Sequence, residues 1–315
     1  MKQIAPDYYR AFACIGGGCP RNCCIGWEID IDEASLLRYG AVEGALGQKL
    51  RRSIAVDDCA HFLLGPEERC PFLNHDDLCQ LILELGKDSL CQICRDHPRF
   101  YNRWPGRTEA GLGLCCPAAA ELILHRQEPM ALTILADDGE EQADDPAAAA
   151  LLALRQRLLG RLQDRRYPVS QRLDAILSAV GAADPFPLRQ WAEIYRPLER
   201  MDGVWDMQLD RLAAGDTVQH TPAETDFETA REQLAVYFLY RHLFGAWEDG
   251  YIAQRVAFCA HAAELLSALA HDVAELTDLA QLYSAEIEYS DKNLIRILEA
   301  LSQQGGADSH DARHR

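Results

Sequence analysis

Beyond about residue 136 apolar residues recur every three to four positions, whereas before it they come in short runs broken by glycine and proline. Asp145-Pro146 opens a predicted helix whose Leu151, Leu154, Leu158 and Leu162 share one face. Further helices are predicted at about 168–180, stopped by Gly181, and at about 187–201, 227–247 and 251–271. In the last of these Ile252, Val256, Cys259, Ala263 and Leu266 form one apolar stripe, which makes Cys259 a small core residue. Residues 202–226, with Gly203, Gly215 and Pro222, read as a loop, and a final helix carries Leu279 to Leu301. The polar run Asp137-Asp138-Gly139-Glu140-Glu141 is the expected boundary between a domain over 1–136 and a helical domain over 137–304. A disordered tail is expected over 305–315.

The amino-terminal third reads as irregular structure with short elements. Three glycines, Gly16 to Gly18, let the backbone fold tightly where side chains would forbid it. They lack the strand-to-helix setting and the following Lys-Ser/Thr of a phosphate loop. Trp27 to Ile31 alternates like a short strand, and Asp32 is placed to cap a helix through Leu36, Leu37 and Tyr39 that stops at Gly40. Short helices are expected over Gly44–Ile54, around Leu81–Leu85 before Gly86, and around Cys91 and Cys94. Pro98 and Pro105 keep Arg95, Arg99, Arg103 and Arg107 off one helix face. Pro117 suits a first helical position, leaving Cys116 at the N-cap, where the helix dipole favours its thiolate. The fold class is therefore mainly α: an irregular cysteine-rich metal-binding part with short helices and few short strands, then an α-helical part.

Charge narrows the function. The 315 residues carry a formal −18, and 127–315 hold 17 Lys+Arg against 32 Asp+Glu. Such a chain is a poor match for phosphate backbones, so no nucleic-acid partner is expected. No apolar run approaches the ~18 residues of a membrane span. The opening Met1-Lys2-Gln3-Ile4-Ala5-Pro6-Asp7 has no apolar signal core, so a cytoplasmic protein without membrane association is expected.

In that compartment dense cysteine points to metal rather than disulfides. Eleven of the twelve cysteines fall between Cys14 and Cys116. Cys91-x2-Cys94 stands alone, without the second pair of a zinc knuckle and without the repeated Cys-x2-Cys steps of a ferredoxin. A site must then be assembled from separated segments. Thiolates suit zinc and iron–sulfur alike, and Arg21, Arg95 and Arg99 could offset the charge of a thiolate cluster.

Several segments together resemble the flagellin lysine-N-methylase family and its cysteine-cluster relatives. They are Cys19-Pro20-Arg21-Asn22-Cys23-Cys24 through Asp32, Arg69-Cys70-Pro71-Phe72-Leu73, Leu78-Cys79-Gln80, Leu90-Cys91-Gln92-Ile93-Cys94, Pro98-Arg99, Cys116-Pro117-Ala118-Ala119-Ala120, and Tyr283 through Leu294. The resemblance implies a Cys-bound iron–sulfur cluster, 4Fe-4S before zinc, and methyl transfer from S-adenosylmethionine to lysines of flagellin. Its ligand set maps onto Cys14, Cys19, Cys23, Cys24, Cys70, Cys79, Cys94 and Cys116, leaving Cys59, Cys91 and Cys115 outside. His97 and Tyr289 depart from the family pattern, which has Tyr and His there.

For such chemistry Arg99 is the candidate for the donor's carboxylate. Glu28, Asp30, Asp32 or Glu109 could hold the amine, and Tyr101 or Trp104 could face the sulfonium. Catalytic residues are not otherwise marked. The rival readings are a non-catalytic zinc- or iron-binding module for metal delivery or protein interaction, and a redox sensor.

Overall fold

The structure is a computed structural model that describes residues 1–139, 145–182, 186–201, 203–221 and 224–311. The amino-terminal part supplies β1 (Lys2–Pro6), α1 (Glu33–Gly40), α2 (Gly44–Ser53), β2 (Ile54–Val56), β3 (Ala60–Phe62), α3 (Gln80–Leu85), α4 (Gln92–Asp96), β4 (Arg99–Trp104), β5 (Arg107–Leu112), α5 (Pro117–Leu124) and β6 (Leu132–Asp137). Helices follow: α6 (Pro146–Leu162), α7 (Val169–Val180), α8 (Leu188–Tyr195), α9 (Val204–Ala214), α10 (Thr225–His242), α11 (Ala246–Asp249), α12 (Ile252–Leu269), α13 (Val273–Tyr283) and α14 (Asp291–Asp311). The mainly α class holds. Among the described residues no helix is long and apolar enough to cross a membrane.

Packing divides the chain into two compact units, and not at the boundary expected between 136 and 137. One unit, called cysteine-rich below, comprises Ala13–Phe100 and Cys116–Ala118; the other, called helical, takes Met1–Phe12, Tyr101–Cys115 and everything from Ala119. The reason is a sheet of order β4-β5-β1-β6. β1 runs parallel to β5, with Lys2 opposite Arg107, and antiparallel to β6, with Pro6 opposite Leu132, so distant segments join the helices that follow. Of the expected linker, 140–144 lies outside the described residues.

Several local readings hold for physical reasons. Asp32 accepts a bond from Ser35 N at 2.9 Å to start α1, and Asp145 accepts from Ala148 N at 2.9 Å to start α6. Gly181 ends α7 at φ 63°, in the left-handed region. Others need correction. Residues 27–31 make only an isolated bridge, Asp30 to His61, rather than a strand. The expected loop over 202–226 contains α9, whose glycines, Gly203 and Gly215, bound it instead of breaking it. The last helix is two: α13 passes through a π turn, Ser284–Glu288, before α14 begins at Asp291. α14 also reaches Asp311, through most of the expected disordered tail; 312–315 lies outside the described residues.

In the helical unit α10 and α12 are buried on nearly every face, with Phe238, Leu239, Phe258 and Leu266 fully enclosed. Cys259 is 1% exposed there, the core residue its stripe implied. Glu109, wholly buried, takes both Arg155 nitrogens at 2.6 Å and Arg107 Nη2 at 2.5 Å.

Candidate functional site

The cysteine-rich unit is built from loops that lie against one another. Gly16 to Gly18 form a short 3-10 turn, and a Cβ at Gly17 would stand 2.5 Å from the Asp76 carbonyl, so no side chain fits there. The Asn74 side chain organises the facing turn by accepting from Asp76 N at 3.0 Å and Leu78 N at 2.9 Å. Asn22 reaches that turn through Asp77 O and also accepts from Cys24 N at 3.0 Å. Cys70 N then donates to Cys24 O at 2.8 Å, and Leu73 bridges to Cys79. These links bring three cysteine segments to one place.

A fourth arrives on α4. Asp32 Oδ2 accepts from Gln92 N at 2.7 Å, so the residue that caps α1 also fixes the start of α4, with Cys91 at its N-cap and Cys94 within it. Both jobs occupy the carboxylate, and hydrogen bonds, from Ser35 above all, draw its pKa down to about 2. Asp32 is therefore a structural cap and not the amine-holding group the sequence offered.

Two thiol pairs result. Cys24 hydrogen-bonds to Cys23, and that bond lowers the Cys23 thiol to about 7 while raising Cys24, which is raised further by burial and by Cys70 and Cys79. Cys91 is likewise lowered to about 7 by the hydrogen bond from Cys94, whose own pKa is raised by that bond, by burial and by Cys91, Cys24 and Cys70. Burial pushes Cys70 up to about 11. Six thiols thus sense one another: Cys23, Cys24, Cys70, Cys79, Cys91 and Cys94.

The resemblance leaves Cys91 outside its ligand set, yet this thiol is fully buried in the group. Its Cys-x2-Cys spacing to Cys94 was the signal. Cys19 lies beside Cys23 and Cys14; burial raises its pKa, and its thiol donates to Arg21 O at 3.2 Å. Cys14 is exposed and accepts from Gly16 N. Cys116 directly precedes Pro117, the first residue of α5, as expected. Cys59 is exposed on the turn between β2 and β3 and donates to Asp30 at 3.3 Å, and Cys115 is buried in the helical unit against Tyr289. Among the described residues no group of three or more His, Cys, Asp or Glu side chains is arranged to hold a metal ion. By donor type the six thiols fit a thiolate-ligated metal or cluster, with two of them, Cys23 and Cys91, already drawn towards the thiolate.

The remaining candidates separate. Glu109 and Trp104 are core groups of the helical unit: Trp104 donates to Glu109 at 3.0 Å, and Arg155 lies 5.4 Å from its ring centroid, so an internal cation already holds that face. Glu28 lines a cavity of about 360 Å³ with Gly26, His61, Phe62, Leu64 and Glu68, while Asp30 accepts from the thiol of Cys59. Arg99 opens β4, half-buried; burial, with Arg99 adding to it, keeps the His97 pKa down at about 4. Tyr101 is half-buried on the same strand.

No family profile and no solved structure matches the chain. Curated proteins do. Over 146 residues the chain is 30% identical to the flagellar biosynthetic protein FliU of Salmonella muenchen, a stretch covering 42% of this chain and 84% of FliU. The chain belongs to the flagellin lysine-N-methylase family. Members named lysine-N-methylase in Salmonella typhimurium and Salmonella choleraesuis are 29% identical over 150 residues, which is 42% of this chain and 36% of theirs. The chain thus matches about a third of the length of those two relatives.

The family-like segment 283–294 falls on the π turn and the start of α14. Glu288 is buried there and accepts from Tyr237 at 3.0 Å and from His242. Burial works against its charge, but Arg241 and His242 overcome it and hold the carboxyl at about 2. Tyr289, one of the two departures from the family pattern, lies under the Arg241 guanidinium, 4.8 Å from ring centroid to charge. His97, the other, meets Trp27 edge to face at 6.4 Å.

Proposed function

We propose that the chain is a protein-lysine N-methyltransferase acting on flagellin in the cytoplasm, using S-adenosylmethionine and carrying an iron–sulfur cluster in its cysteine-rich unit. The observation that carries this reading is that cysteines from the family-like segments, Cys23, Cys24, Cys70, Cys79 and Cys94, meet in one thiol group together with Cys91. Four of those six would ligate a 4Fe-4S cluster and the remaining thiols would pack beside it, with zinc the alternative occupant. A bound cluster would supply redox or Lewis-acid chemistry and would tie four segments of the chain together.

The transfer itself needs a neutral lysine amine. Its lone pair forms the N–C bond as the S–C bond of the sulfonium breaks; S-adenosylhomocysteine leaves and the amine gives up a proton. In-line positioning and exclusion of water dominate such a step. Glu28, in its cavity, is proposed to hold the lysine ammonium, which loses one proton before the amine attacks, separate from the proton released after transfer. Arg99 is proposed to take the donor's carboxylate, a role that suits a bidentate guanidinium.

The test is anaerobic purification with iron and sulfide analysis, then incubation of the loaded protein with labelled methyl donor and the cognate flagellin. Iron with inorganic sulfide and a mass gain on flagellin lysines is expected, with Arg99→Ala and Arg99→Lys both slower by about tenfold or more. Stoichiometric zinc without sulfide would overturn the cluster. An unchanged flagellin mass would overturn the enzyme in favour of a metal-binding module.

A further inference from the structure

Helices α7, α8 and α12 of the helical unit line a cavity of about 330 Å³ that the methyl-transfer reading does not use. Its walls include Leu177, Phe186 and Leu188, and its polar groups are Asp174, His261 and Glu264. Apolar walls with a few polar groups, at this volume, are the make-up of a small-ligand site.

His261 is the unusual member. Its side chain is 2% exposed, Trp191 stacks on the imidazole at 3.3 Å between centroids, and among the described residues Nε2 finds no hydrogen-bond partner. Burial keeps the ring neutral, so Nε2 can accept a hydrogen bond. A buried polar atom left without a partner costs stability, and a ligand donor would remove that cost. Glu264 carries a second imbalance. Burial raises its pKa; Arg231, 3.4 Å away, opposes the rise, while Asp174 and Glu228 add to it. Glu264 thus feels two other carboxylates, Asp174 and Glu228, and shares its guanidinium with Glu228, which pairs with Arg231 at 2.5 Å.

We propose that this cavity binds an alkylammonium group, its carbon chain against Leu177, Phe186 and Leu188 and its ammonium at Asp174, Glu264 and His261. The match is one of donor and acceptor count: an ammonium offers three donors and no acceptor, and the three polar groups lining the cavity all accept. Its positive charge also offsets the excess of carboxylates. The ligand's source is either a lysine side chain presented by a protein or a free aliphatic amine. The inference rests on the cavity alone, and its test involves no turnover.

Calorimetric titration of the full chain with n-pentylammonium, with n-pentanol and with Nα-acetyl-lysine-N-methylamide decides it. Saturable binding of n-pentylammonium at one site is expected, at least about tenfold tighter than n-pentanol of the same shape. Asp174→Asn and Glu264→Gln should each weaken it by about tenfold. Comparable binding of the lysine derivative assigns the site to a protein side chain, and much weaker binding assigns it to a free amine. Absence of binding by either ammonium, equal binding of the alcohol, or affinity unchanged in both folded variants overturns the proposal. The alcohol comparison uses the unaltered protein, so it stands if either variant misfolds.

Discussion

In the helical unit Leu234, Phe238, Phe258, Leu266 and Trp205 are shut off from solvent, and even its charges are inward: Glu232 meets Arg172 at 2.6 Å with both side chains at most 5% exposed. The cysteine-rich unit gathers a core cluster of ten buried residues, from Ile29 to Cys91, two of which are Cys70 and Cys91, with Cys24, Cys79 and Cys94 packed at its edge. Both units bury leucine and aromatic rings, but only the second mixes several thiols among them. A small core lined by thiols supports few residues on hydrophobic burial alone, whereas thiolate ligation contributes to folding directly. In the cysteine-rich unit the same cysteines serve as core and as candidate ligands.

The sharpest way to break that comparison is to remove sulfur from each unit in turn. Cys70→Ser combined with Cys91→Ser should abolish metal content and amide protection across residues 14–100, an effect on the order of 10 kcal/mol if ligation is lost entirely. Cys259→Ser should leave metal content unchanged. Hydrogen exchange read by mass spectrometry, with α10 and α12 as internal reference, checks both. Equal metal loss in the two proteins would mean that the site has been placed in the wrong unit.

Next in size is Arg155→Ala. It leaves Glu109 buried with Arg107 as its cationic partner among the described residues, and urea unfolding of the helical unit should show a loss of about 3–5 kcal/mol with metal content untouched. A fall in metal content would couple the two units more tightly than the comparison allows.

The smallest effect belongs to Asp32. Removing the cap with Asp32→Ala should cost about 1 kcal/mol in the cysteine-rich unit at neutral pH. Because the folded pKa, about 2, lies below the ordinary carboxylate value near ~4, this stability is present above pH ~4 and is lost as pH falls through about 2. Wild type and Asp32→Asn should therefore converge in acid. A gap that stays constant between pH 5 and ~2.5 would show that the carboxylate's charge does not matter.

What the sequence disclosed follows from the range of each signal. Caps are local chemistry, so Asp32, Asp145 and Gly181 could be read from a few neighbours. The sheet could not. β1 and β6 owe their pairing to residues more than a hundred positions apart, and β6 leaves Thr133, Ile134, Ala136 and Asp137 half or fully exposed, so no alternation marks it. Pro105 was visible as an interruption, but that the chain turns there from β4 into β5 needed the partner strand β1. The thiol group divides the same way. The crowding of cysteine was plain, whereas the place of Cys91 depended on Asp32 reaching across to Gln92, sixty residues away. Asp32 and Glu109 looked available to a substrate because sequence gives no view of Gln92 or Arg155.

The π turn at Ser284–Glu288 constrains chain length as well as composition. A π turn holds one residue more than the α ladder around it. Here the extra residue lets Glu286 accept from Met201 N at 2.9 Å while Glu288 takes Tyr237 and His242, and Asn293 then closes on the Glu286 carbonyl at 2.8 Å. Deleting one residue between 284 and 288 would restore the regular ladder and rotate everything after it by ~100° about the helix axis. Glu286 and Glu288 could then no longer both keep their partners. This stretch should accept substitutions at exposed positions far more readily than any insertion or deletion, so in relatives that share the turn its length is the feature to align on.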